Sequence, residues 1–249
     1  MINGPMLIRG ASLVAALVLW QAAVMIFEPD LLPAPTRVLA RLVQEFQSGQ
    51  LPTHLAVTLS RVATSFVLAM ALGLLLGALM GRFPKVDASL DGLLTVALNL
   101  PALVVIILSL LWFGLNEFAI VLAVVLNKTP TMMVVFREGV RAVDQSLMEV
   151  ARVHQLSRWR QFAGVWLPQL YPYFLAATRS GLALVWKIVL VVELLGASQG
   201  MGFKLGEFFQ FFEIDGVLAY ACAFIVFIML LEALIIRPWE ARVMRWRAP

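Results

Sequence analysis

Six apolar runs, each close to or above the ~20 residues that cover a ~30 Å hydrocarbon core at 1.5 Å per residue, dominate this chain. They are read at approximately 8–27, 54–81, 91–113, 117–136, 170–195 and 216–236. A backbone in lipid must satisfy its own polar groups, so such runs become helices. A soluble domain of 249 residues does not carry 61% hydrophobic and only 14% charged residues. The expected fold is therefore an all-α polytopic membrane protein with about six transmembrane helices. It forms one transmembrane domain over 1–249, with 8–27 as an N-terminal anchor helix and 54–240 as the core. Arg9 precedes the first run, as in a signal peptide. No small-residue cleavage site comes before Glu28-Pro29-Asp30, and a retained anchor is expected.

The net charge of +4 follows topology. Basic residues sit in short loops, with no aromatic-lined basic groove of the kind that binds nucleic acid. Arg9, Arg82, Lys85, Arg137, Arg141, Arg152, Arg158, Arg160, Arg237, Arg242, Arg245 and Arg247 fall on one side, and only Arg37, Arg41 and Lys204 on the other. The positive-inside bias then puts both termini and the 144–168 loop in the cytoplasm. Cys222 is the only cysteine, and His54 and His154 lie far apart in sequence, so neither a disulfide framework nor a metal site is expected.

Between and within the spans, several residues stand out. Thr36 is read as the cap of a surface helix over Arg37–Gln47 with an apolar stripe of Val38, Leu39, Leu42, Val43 and Phe46. Gly73, Gly77 and Gly81 form a small-residue stripe for close helix packing. Asp87 and Asp91 suit the start of a helix better than a paired-carboxylate site. Asn99-Leu100-Pro101 and Lys128-Thr129-Pro130 are read as interruptions of the third and fourth spans. Charges inside spans normally face a bundle interior or an aqueous path. Lys128, Arg179, Lys187 and Glu193 are thus candidate path residues favouring an anionic or polar solute; the alternative is that the lysines pair with Glu193 or snorkel to an interface. Gly196–Gly202 is expected to be a flexible outer turn, followed by a short amphipathic segment, Phe203–Phe212.

The most polar interval, Asp144–Pro168, lies between two spans. Ser146 and Glu149 read as a capping box opening a short helix with Leu147, Val150, Ala151 and His154 on its apolar side. Ser157 reads as the cap of a second helix, Arg158–Trp166. Basic, with Arg152, Arg158 and Arg160 beside Trp159, this pair of helices suits docking of a soluble partner.

Glu149-Val150-Ala151 with Leu167-Pro168 resembles the EAA loop of ABC-importer permeases. Val150 replaces the first Ala of that pattern, Gln155 its Gly and Val165 its Ile. Leu32-Pro33-Ala34-Pro35, Thr58-Leu59-Ser60-Arg61-Val62, Leu111–Glu117, Gly139–Asp144 and Glu193–Gly202 extend the resemblance to the nitrate/sulfonate/taurine branch of that family. The resemblance implies a type I importer permease fold in a bacterial inner membrane. It also implies a second permease copy (a homodimer), a cytosolic ATPase dimer that binds ATP and Mg, and a periplasmic or lipid-anchored substrate-binding protein. This subunit would hold no cofactor and catalyse nothing; the chain lacks a G-x-x-x-x-G-K-[ST] P-loop. In this reading Leu147, Ala151 and His154 pack in the ATPase groove and Glu149 fixes the loop helix. Arg152 works at the rim, and Gln155, Ser157, Arg158 and Trp159 complete the coupling surface. A secondary transporter is the main rival and would show related halves with paired broken helices; no convincing internal repeat is present. A membrane enzyme would need more acids or histidines than Asp87 and Asp91 offer, and a passive structural subunit would not need the internal lysines.

Overall fold

In the computed structural model, residues 4–27, 32–236 and 238 are described. The Glu28-Pro29-Asp30 turn, Arg237, Arg242, Arg245 and Arg247 lie outside the described residues, as does the side chain of Arg9. Helices alone make up the secondary structure of the described residues. In chain order they are α1 (Gly4–Phe27), α2 (Pro35–Gln47), α3 (Gln50–Arg82), α4 (Pro84–Asn99), α5 (Ala102–Phe113) and α6 (Glu117–Arg141). After them come α7 (Gln145–Val153), α8 (Arg158–Gln161), α9 (Leu167–Gly196), α10 (Met201–Gln210) and α11 (Ile214–Leu231).

Side-chain contacts fix the directions of the crossings. Arg61, early in α3, bonds Glu117 at the start of α6, whereas Asp87, at the start of α4, bonds Arg141 at the end of α6 (2.5 Å). Helices α3 and α6 therefore run the same way, and α4 with α5 must return across the bundle between them. That return is bent by 97°. Leu100 is extended because a residue before proline is kept out of the helical region, and Pro101 offers no N–H to continue α4. The third expected span is thus a broken crossing. The fourth is not: α6 runs unbroken through Pro130, which is buried with Thr129 against its neighbours. Four helical segments are by themselves long and apolar enough to cross: 50–82, 117–141, 158–196 and 214–234. The bent pair supplies a fifth crossing, and the 24-residue α1 stands beside α2.

The glycine stripe explains the centre of the bundle. A Cβ at Gly77 would lie 2.5 Å from the Met133 carbonyl oxygen, and one at Gly81 would lie 2.8 Å from that of Arg137. Gly73 faces Met132 still more closely, so the backbones of α3 and α6 touch along three turns. Helix α9 packs on α6 through side chains, with Met132 against Gly181 and Tyr173 against Gly139. Leu68, Leu72, Leu75, Ile107, Ile225 and Met229 face outward. In a bilayer such outward apolar faces meet lipid.

Some local expectations change. Pro35 at the first position starts α2, with Ala34 as cap residue, so Thr36 caps nothing. Helix α2 is clipped to α11 by Arg41–Glu213 (2.7 Å), Arg37–Asp215 (3.4 Å) and the Tyr220 hydroxyl on Glu45 (3.1 Å). Leu39, Val43 and Phe46 stay exposed on its other side. Asp87 and Asp91 do not cap through their side chains. Asp91 takes the Arg137 guanidinium (2.7 Å) and Asp87 that of Arg141, tying α4 to the end of α6.

Candidate functional site

The 142–168 segment folds into an elbow of two short helices at one end of the bundle. Its first cap is Asp144, two residues before the expected one. The Asp144 carboxylate accepts the Ser146 hydroxyl (2.6 Å) and backbone N–H (2.8 Å), and these bonds hold its pKa below the usual carboxylate value. An aspartate immediately preceding the turn outcompetes Ser146 for the cap, and the exposed Glu149 takes no part in it. Ser157 does cap α8, accepting the Arg160 N–H at 3.4 Å.

Between the two helices Gln155 sits at φ 52°, the left-handed conformation a glycine adopts freely. Its N–H bonds the Arg152 carbonyl (2.9 Å) and that of Leu156 the Ala151 carbonyl (3.1 Å), the two crossed bonds of a Schellman C-cap. The turn keeps the geometry of the glycine-containing pattern with a glutamine in it. Gln161 adds a bond from its side-chain amide to the Leu156 carbonyl (2.8 Å).

After α8 the chain widens into a π turn, Phe162–Trp166, in which the Leu167 N–H reaches the Phe162 carbonyl. Pro168 has no N–H for the Gly164 carbonyl four residues back, and the wide turn accommodates that loss. Helix continues to Gly196, so α8, the π turn and α9 make one 39-residue rod. The elbow is tied to this rod: Gln169 accepts the Asp144 N–H (2.8 Å) while donating to the Val165 carbonyl (3.0 Å). Met148 and Trp166 pack beside Val140, Val143 and Leu170.

A groove of about 600 Å³ lies between α7 and the start of the rod, lined by Leu147, Val150, Ala151, His154, Leu156, Gly164, Val165, Pro168 and Gln169. Of the expected contact residues, Leu147, His154, Arg152, Arg158 and Trp159 are exposed. Ala151 is only 3% exposed and belongs to the elbow's interior. Val150, on the apolar side read from the sequence, is 54% exposed, and Val153, 79% exposed, was not singled out although it directly follows Arg152 on α7.

At the opposite end of the bundle lies a cluster the sequence did not reveal. Glu193 is fully buried. It accepts Arg61 Nη1 (2.8 Å), the Gly202 N–H (2.9 Å) and the Thr58 hydroxyl (2.9 and 3.0 Å). Arg61, 3% exposed, also bonds Glu117 through Nε (2.8 Å) and Nη2, and the Gln199 carbonyl (2.6 Å). Thr58 accepts the Met201 N–H (2.8 Å), and His54 Nδ1 accepts that of Gly200 (3.0 Å). Gly200, at φ 116°, presses on the Glu193 carboxylate where any side chain would collide. The turn expected to be flexible is thus clamped, and Glu193 is withdrawn from any path and from pairing with a lysine.

The remaining path candidates lie elsewhere. Lys128 is 7% exposed, with no hydrogen bond or ion pair among the described residues. The antiparallel register set by Gly139 on Tyr173 and Met132 on Gly181 brings it level with Leu184 of α9. Arg179 and Lys187 are exposed on α9 with Ser180, Ala183 and Leu184, spread over roughly 12 Å of helix.

A family described as the binding-protein-dependent transport system inner membrane component matches residues 69–236. The chain is 31% identical over 242 residues to the putative aliphatic sulfonates transport permease protein SsuC of Bacillus subtilis, covering 96% of this chain and 87% of that one. It is 30% identical over 243 residues to the taurine transport system permease protein TauC of Escherichia coli, covering 95% and 88%. The formylaminopyrimidine transport permease protein ThiX of Halalkalibacterium halodurans is 27% identical over 204 residues, covering 82% and 81%. A helical membrane bundle with a two-helix elbow, matched across two thirds of its length by one family and nearly end to end by the SsuC and TauC relatives, belongs to the binding-protein-dependent ABC importers as a type I permease subunit.

Proposed function

We propose that this permease takes its driving movement at the elbow, from a cytosolic ATPase dimer, and passes a small anionic solute between two copies of itself. The carrying observation is the elbow groove: it is apolar, open, and tied through Asp144 and Gln169 to the rod that continues into α9. A partner seated in the groove against Leu147, Val150 and His154, with Val153, Arg152 and Arg158 at its rim, moves α9 when it moves. Charge supports the orientation. Arg82, Lys85, Arg137, Arg141, Arg152, Arg158 and Arg160 gather at the elbow end, whereas Arg41 and Lys204 at the other end are paired with acids. The positive-inside bias then makes the elbow cytoplasmic and sets the termini on the same side.

Lys128, Arg179 and Lys187 on or beside the exposed face of α9 give the path a positive lining suited to a sulfonate-bearing solute of the kind named for the relatives. The single transmembrane domain, with α1 as an anchor at its edge, supplies half of that path, and its twin the rest. The test is reconstitution in proteoliposomes with the cognate ATPase and binding protein: ATP-dependent uptake of a labelled alkanesulfonate or taurine is expected. Uptake that proceeds without the ATPase would refute the coupling.

A further inference from the structure

The two ends of this bundle are held together in different ways. At the elbow end, α4 meets α6 through Asp87, Asp91, Arg137 and Arg141, whose side chains are partly open to solvent. Water and salt compete for such pairs, and they reform readily. At the far end the Arg61–Glu193 pair is closed to solvent, Glu117 bonds Arg61 from the exposed side, and each group has its partner inside the subunit. The cluster joins α3 through His54, Thr58 and Arg61, α6 through Glu117, and α9 through Glu193. The backbone of Gln199, Gly200, Met201 and Gly202 completes it. Removing Arg61 leaves the buried Glu193 carboxylate without its countercharge.

The interfaces along the bundle differ as well. Helices α3 and α6 touch backbone to backbone at Gly73, Gly77 and Gly81, which leaves no side chain to rearrange. Helix α9 rides on α6 through Met132, a flexible and adaptable side chain, lying on Gly181. The α3–α6 pair is therefore a stiff frame, on which α9 packs through apolar side chains and to which it is hydrogen-bonded at Glu193.

We infer that the Arg61–Glu193 cluster is the fixed pivot of the transport movement, converting a push at the elbow into a tilt of α9 about its far end instead of a slide along its axis. Arg61, Thr58 and Glu193 are positioning residues: they touch no solute and act through the angle of α9. This rests on the elbow being the driven end. It explains why a costly buried ion pair sits away from both the groove and the exposed face of α9.

The test uses the complete complex in proteoliposomes, with Cys222→Ser removing the native thiol. Spin labels are placed on a far-end pair, Thr53→Cys with Leu195→Cys, and on an elbow-end pair, Phe83→Cys with Tyr171→Cys; all four positions are exposed. Between the nucleotide-free and ATP-trapped states the far-end distance stays fixed while the elbow-end distance changes. Glu193→Gln broadens the far-end distance and lowers solute imported per ATP hydrolysed about tenfold, with ATP turnover retained. Arg61→Lys, keeping the charge beside Glu193 but losing the forked grip on Glu117, falls between. A far-end distance that changes as much as the elbow-end one overturns the pivot alone. Two unchanging distances overturn it together with the elbow drive. If Glu193→Gln does not assemble, the labels on the intact cluster still decide.

Discussion

Val153→Asp separates docking from folding at the elbow. Val153 ends α7 and is 79% exposed, so in the isolated subunit the substitution removes almost no packing. A negative charge at a helix C-terminus opposes the helix dipole by about 0.3–1 kcal/mol, and exposed substitutions otherwise stay within ~0.5 kcal/mol. Against a seated partner the balance is different. Burying a valine contributes roughly 1.5–3 kcal/mol, and a carboxylate buried there without a partner adds a further penalty of at least ~1 kcal/mol. A total of about 2.5 kcal/mol or more corresponds to docking weakened roughly sixtyfold or more. The expected outcome is normal expression and thermal stability of the permease, loss of ATPase co-purification and loss of ATP-driven uptake, with Val150→Asp behaving alike. Ala151→Asp, placing a carboxylate at a site only 3% exposed, should instead lower the amount of folded permease. Wild-type co-purification and uptake in both Val150→Asp and Val153→Asp would show that nothing docks on this face.

Gly77→Leu should lower thermal stability in detergent by about 1–3 kcal/mol by prising α3 from α6, whereas Gly92→Ala, with open space around it, should not. Gln155→Gly should change stability by less than ~0.5 kcal/mol, because relief of left-handed strain is offset by the greater freedom of glycine in the unfolded chain. Gln155→Pro, which removes the N–H to Arg152 and imposes a negative φ, should abolish coupling in a co-purification assay. The Asp144 cap has its pKa lowered by the Ser146 bonds, so its stabilisation is complete above the unfolded value near ~3.9 and is lost only as pH falls through the lower folded value. ATPase docking followed from pH 8 to 5 should therefore show no step from this group. Lys128→Met should leave thermal stability unchanged or raised, since no partner is orphaned among the described residues, while uptake of an anionic solute falls; unchanged uptake would remove Lys128 from the path.

What was legible in the sequence was local or periodic. Ser157 caps its helix because a cap needs only the next three residues, and Gly73, Gly77 and Gly81 mark the α3–α6 contact because their spacing puts them on one face. The Ser146 reading failed on the same local scale, where Asp144 competes for the same N–H groups. Ala151 lines the groove yet is only 3% exposed, because α7 has apolar residues on more than one side and periodicity does not say which side meets the subunit's own π turn. Glu193 was placed in the path because its partner Arg61 lies 132 positions earlier, in a motif with no pattern pointing back to it. Pro130 reads as a break, yet α6 passes it, because packing against α3 and α9 outweighs one missing hydrogen bond.

A pivot at Glu193 also ranks the cations along α9. At 1.5 Å per residue the rod from Arg158 to Glu193 is roughly 52 Å long, with Ser180 about 20 Å and Lys187 about 9 Å from the pivot. A displacement of about one helical turn, 5.4 Å, at Arg158 then moves Ser180 by ~2 Å and Lys187 by ~1 Å. The neighbourhood of Arg179 and Ser180 shifts enough to open or close a contact, while Lys187 stays nearly in place throughout the cycle. If the exposed face of α9 lines the path, the elbow half is its moving gate and the Lys187 level its stationary part. Lys187→Gln should then weaken the apparent affinity for the solute more than the maximal rate, and Ala183→Trp, beside the gate, should do the reverse. Kinetics of uptake in proteoliposomes measures both, and a Lys187 variant with a changed maximal rate and unchanged affinity would place the moving part at the wrong end of the lever.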